Sequence, residues 1–76
     1  QSADARYLMG KILLAEGDAQ RARIQLESAA RLAPEDPEAH YQLGLALQRL
    51  GRTEEAKREF ATFQSLKKAK SSGDSQ

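Results

Sequence analysis

The chain contains no cysteine, no valine and no asparagine. Without cysteine there is no disulfide and no thiolate metal site, and the absence fits a reducing, cytoplasmic setting. With no valine, and isoleucine only at Ile12 and Ile24, strand-favouring residues are scarce. No apolar run approaches the roughly 18 residues of a membrane-spanning helix. Neither sign of charge dominates: 12 Lys/Arg against 11 Asp/Glu leave a formal charge of +1. That balance gives no global basic field for nucleic acid and no acidic tail for a basic partner. The sequence begins at Gln1 rather than Met, which reads as an excised or processed piece with any signal peptide or anchor upstream. Its 76 residues allow one small domain with a small core, and such cores usually need extra support.

What the chain does have is alanine, leucine, arginine, glutamine and glutamate, all good helix formers. They fall into four helical segments and no strand. The first spans about Ala3 to Glu16, with Ser2 as N-cap, Asp4 at the positive end of the helix dipole, and Gly17 as its stop. Asp18 caps the second, Ala19 to about Leu32, where Ala22, Leu26, Ala29 and Leu32 recur at helical spacing and Pro34 follows. Asp36-Pro37-Glu38 is a strong start signal for the third, Pro37 to Leu50, which carries Leu43, Leu47 and Leu50. Gly51 ends it. Thr53 is the expected cap of the fourth, with Glu54 and Glu55 in its first turn and fraying expected near Lys70.

A shift of 34 residues superposes the chain on itself without a gap. Ala5 falls on Ala39, Tyr7 on Tyr41, Gly10 on Gly44, Leu13 on Leu47, Gly17 on Gly51, Ala22 on Ala56 and Leu32 on Leu66. Met9 on Leu43 and Leu26 on Phe60 are conservative. The expected units are 3–36 and 37–70, followed by a disordered polar tail at 71–76. Gly44 is costly inside a helix, by roughly 1 kcal/mol relative to alanine. Its recurrence as Gly10 predicts a close helix approach, with Gly10 beside Ala22 and Gly44 beside Ala56.

These residues resemble the tetratricopeptide repeat. The first unit has Met9-Gly10, Gly17, Ala22, Leu26, Ala29 and Pro34 at the family's signature positions. The second has Leu43-Gly44, Gly51, Ala56, Phe60, Phe63 and Lys68. The resemblance implies an all-α fold: two tandem helix-turn-helix units forming a short right-handed α-solenoid segment. It further implies a scaffold for protein-protein or peptide interaction, without catalysis or cofactor, whose concave groove is lined by the first helix of each unit. The lining positions are Asp4, Tyr7, Leu8, Lys11 and Leu14, then Glu38, Tyr41, Gln42, Leu45, Gln48 and Arg49. The repeated tyrosines are either hot-spot contacts for a partner or packing along the groove. A known subclass grips peptide carboxylates with Lys, Asn and Arg, and the lack of asparagine disfavours that use here.

The second unit departs from the pattern at Phe63, where a small residue is usual, and at Lys68, where proline is usual. It therefore reads as the C-terminal end of a longer array. Phe60, Phe63 and Leu66 then either face the place of a missing neighbour or pack inward on their own pair. Two units are fewer than the three or more that a stable array needs. Self-association through Phe60, Phe63 and Leu66, or through the face bearing Ile12, is the expected remedy, making the isolated chain a homo-oligomer. A structural module that dimerises a larger parent is the alternative function.

Residue types for other chemistry are missing. His40 is the only histidine, and no Ser/His/Asp set, phosphate loop or metal-ligand spacing accompanies it. Lys67, Lys68 and Lys70 suit a helix C-terminus and lie apart from the tyrosines, so neither nucleic acid nor membrane is an expected partner.

Overall fold

The computed structural model describes residues 2–74, and the side chains of residues 2–71. Four helices follow in order: α1 (Ala3–Ala15), α2 (Ala19–Leu32), α3 (Pro37–Arg49) and α4 (Thr53–Asp74). There is no strand among the described residues. The starts of the first three helices are set by side chains that satisfy free backbone donors. Ser2 Oγ accepts from Ala5 N–H at 3.2 Å, Asp18 Oδ1 from Arg21 N–H at 3.1 Å, and Asp36 Oδ1 from Glu38 N–H at 3.1 Å. The fourth start differs from expectation. Thr53 lies inside the helix, and Arg52 takes the place that Asp18 holds one unit earlier: its carbonyl accepts from Ala56 N–H at 3.0 Å. Its guanidinium instead grips Glu55 through Nε and Nη2, at 2.7 and 2.9 Å.

The two stops are copies of one another. Gly17 and Gly51 sit at φ 88° and 79°, in the left-handed region. Asp18 N–H reaches back to Leu13 C=O at 2.9 Å, and Arg52 N–H to Leu47 C=O, also at 2.9 Å. These are Schellman closures, and they turn the chain sharply enough to lay each following helix antiparallel on its predecessor. α1 packs on α2, α3 packs on α4, and α2 joins the two hairpins by packing on α3. The core cluster is Leu14, Ala22, Leu26, Leu43, Ala46, Leu47 and Ala56, with Tyr7, Leu13, Ala19, Leu45 and Phe60 against its edge.

Gly10 and Gly44 are close-approach points, but their neighbours are larger than the alanines the sequence suggests. A Cβ on Gly10 would lie 2.6 Å from Leu26 Cδ2, and one on Gly44 would lie 2.6 Å from Phe60 Cε1. Each glycine is a notch that receives a large side chain from the second helix of its own hairpin. A polar tie repeats as well. Arg6 Nη1 donates to Gln25 Oε1 at 3.0 Å, and one unit on, His40 Nδ1 lies 2.8 Å from Glu59 Oε1. α4 continues to Asp74, past the Lys70 at which the sequence suggests fraying. Part of the expected tail is therefore helical; Ser75 and Gln76 lie outside the described residues.

Candidate functional site: the face of the two first helices

α1 and α3 are the first helices of the two hairpins, and they lie side by side with α2 behind them. Of the expected groove residues, Leu8, Lys11, Gln48 and Arg49 are exposed, and Tyr7, Tyr41, Gln42 and Leu45 are half-buried. Asp4 and Glu38 are exposed at the helix starts. Leu14 is not a groove residue. It is 4% exposed and clusters with Leu26, Leu43 and Leu47, because the second hairpin covers that side of α1. Arg49 also holds the two hairpins together. Its Nη1 donates to Leu14 C=O at 2.8 Å and ties α3 to the end of α1.

The two tyrosines occupy different environments despite their shared register. Tyr7 stands at the edge of the core with Lys11 Nζ 5.5 Å from its ring centre, in range of a cation–π contact. Burial, helped by the charges of Glu38 and Asp36, pushes its phenol above the ordinary value. Tyr41 is engaged inside its own hairpin. Its ring centre lies 5.7 Å from Phe60 at 54° and 4.9 Å from Phe63 at 45°, the tilted arrangements that aromatic pairs prefer.

That aromatic trio answers the question of Phe63. The ring packs inward on Tyr41 and is half-buried, as are Phe60 and Leu66. The large apolar side chains most open to solvent are Leu8, Met9 and Ile12 on α1, and Ile24 and Leu32 on α2, while Phe60, Phe63 and Leu66 keep part of their surface open. Of the residues expected to mediate self-association, Ile12 is the exposed one.

His40 has a role that its sequence position does not reveal. Its Nε2 lies 2.8 Å from Pro34 C=O while Nδ1 meets Glu59, so the ring links the loop before α3 to α4. The only available signal is the 19-residue spacing of a polar pair, present as Arg6/Gln25 and repeated as His40/Glu59. Among the described residues no group of three or more His, Cys, Asp or Glu could hold a metal ion. No helix among them is long and apolar enough to cross a membrane.

The fold and this face define a helical-hairpin repeat protein with the first helices presented together on one side. Two family models match the chain: one described as TPR repeat over residues 10–51, and one described as tetratricopeptide repeat over residues 37–70. The chain belongs to the tetratricopeptide repeat family. Members of this family are in general protein-protein interaction modules and typically non-enzymatic. A search of curated proteins gave no match.

Proposed function

We propose that this chain is a non-enzymatic module that holds a peptide segment of another protein along the face of α1 and α3. The observation that carries the reading is the surface left open there. Leu8, Lys11 and Gln48 are exposed, and Tyr7, Gln42 and Leu45 are half-buried beside them. Together they offer apolar, amide and cationic groups on two rigid neighbouring helices, which hold such groups more precisely than loops do. A suitable ligand is a short segment with apolar side chains for Leu8 and Leu45 and backbone amides for Gln42 and Gln48.

A randomised peptide library displayed on phage tests this reading. Sequences enriched on the wild type should lose binding to a Lys11→Glu, Gln48→Glu double variant whose helical circular dichroism is unchanged. Failure to enrich any sequence, or equal binding to both proteins, contradicts it. A second role, joining copies of the chain, is favoured by one separate observation: the exposed Leu8, Met9 and Ile12 on α1.

A further inference from the structure

His40 stands between two hydrogen-bond acceptors. Its Nδ1 lies 2.8 Å from Glu59 Oε1 on α4, and its Nε2 lies 2.8 Å from the carbonyl of Pro34, in the loop that joins the two hairpins. A backbone carbonyl can only accept, and so can an ionised carboxylate. Neutral imidazole has one N–H and one bare nitrogen. It satisfies one of the two contacts and sets a lone pair against the other. The imidazolium ion donates from both nitrogens. Two contacts of this length to two acceptors therefore call for a ring that carries both protons.

The first unit supplies a contrast. At the positions of His40 and Glu59 it has Arg6 and Gln25, and Arg6 Nη1 donates to Gln25 Oε1 at 3.0 Å. Arginine stays charged throughout the working range of a protein, and an amide carries no charge, so that tie does not answer to pH. The second unit has in its place the side chain whose charge ordinarily changes between about pH 5 and 8. The side chains of His40 and Glu59 are 12% and 27% exposed, so water has limited access to replace a contact that is lost.

The other charged groups nearby are engaged elsewhere or open to solvent. At the start of α3, Asp36 Oδ1 accepts from Glu38 N–H, and Glu38 Oε2 lies 4.0 Å from Lys67 Nζ of α4. One turn before Glu59 on α4, Glu55 is held by Arg52. In the last turn of α2, Arg31 donates to Ser28. Glu35 and Arg58 are exposed. Among the described residues, Glu59 is the one carboxylate within ion-pair distance of the ring.

We propose that His40 is a proton-operated clasp on the joint between the hairpins. With both nitrogens protonated, the ring ties the loop at Pro34 to α4. When one proton leaves, the other stays on Nδ1, because a carboxylate is a stronger acceptor than a carbonyl. Nε2 then turns a lone pair towards Pro34 C=O. The loop is released at that point while the contact between α3 and α4 persists. The closed form holds one proton more than the open form, so the clasp is closed on the acid side and opens as pH rises.

NMR spectroscopy of the full chain between about pH 5 and 8, the range in which histidine exchanges its charge, tests it. His40 is the only histidine, so the ring nitrogen signals belong to it alone. The wild type should show both nitrogens protonated at the acid end and the Nδ1–H tautomer at the alkaline end. The amide of Glu35, which shares a peptide group with Pro34 C=O, should shift along the same titration. In Glu59→Gln the new amide can donate to Nδ1, so the neutral ring keeps its proton on Nε2 and goes on holding Pro34. That variant should show the Nε2–H tautomer and a Glu35 amide that ignores the titration. Glu59→Ala removes the competing acceptor, should give the same result, and stands in if the first variant folds poorly. An Nε2–H tautomer in the wild type overturns the clasp. So does a Glu35 amide that stays fixed in the wild type, or that moves equally in the variants. A wild-type ring that is neutral throughout overturns it as well, by placing the shared proton on Glu59.

Discussion

Gly44 shows how far a single residue can be read from sequence. Its cost inside a helix and its recurrence at Gly10 point to a close approach, and the structure has one. The approaching group was not legible, because periodicity places Ala56 and Phe60 on the same face without saying which fills the notch. With Phe60 Cε1 2.6 Å from where a Cβ would stand, Gly44→Ala should lower stability by about 1–3 kcal/mol, and Gly44→Leu by more. Gln48→Leu, at an exposed position, should be nearly neutral. Thermal melts of the three variants check this; equal effects would contradict the assignment of faces. Tyr7 gives a second test. Burial and two nearby carboxylates hold its phenol above the ordinary value, so the folded chain keeps that proton more firmly than the unfolded chain. The stabilisation is complete below the unfolded phenol's titration and is lost as pH rises through the folded one. In a Tyr41→Phe background, the remaining tyrosine should ionise at higher pH in native protein than in urea. Coincident absorbance titrations would contradict it.

Element boundaries were legible wherever a backbone group has a local partner. Ser2, Asp18 and Asp36 cap by short side-chain contacts, and Gly17 and Gly51 stop by a conformation that other residues rarely adopt. Gly51→Ala keeps the sequence helical but forces a Cβ into the left-handed region, which costs roughly 1–2 kcal/mol. Nothing lies within 4 Å of that Cβ, so the loss should come from the backbone alone. Chemical denaturation should show a lower midpoint with an unchanged slope; a changed slope would mean that the hairpin itself has opened. The start of α4 was not legible in the same way, because Thr53 matches a cap signature, whereas the register with Asp18 makes Arg52 the equivalent residue. Acid should weaken the Arg52–Glu55 grip at that start. Its hydrogen bonds from Arg52 hold the Glu55 carboxyl below its ordinary value. The contribution is present above the unfolded carboxyl's titration and lost as pH falls through the folded one. Both groups are exposed, so the effect is small.

For the whole molecule, the 34-residue register carried the architecture, because each helix packs on its sequence neighbour and each hairpin repeats the last. It could not carry the differences between ends, since those depend on which copies of a position are covered. Leu14 and Gln48 share a register position, yet one is core and the other surface; Met9 and Leu43 reverse that order. Likewise the sequence leaves Phe63 open between facing a missing neighbour and packing inward, and only the structure places its ring against Tyr41. The central proposal is that a peptide partner is held on the face of α1 and α3. Backbone amide shifts of labelled protein, titrated with a peptide enriched from the phage library, test it most directly. The account predicts the largest perturbations at Tyr7, Leu8, Lys11, Gln42, Leu45 and Gln48, with the outer sides of α2 and α4 unmoved. Perturbations confined to α2 and α4 would contradict it.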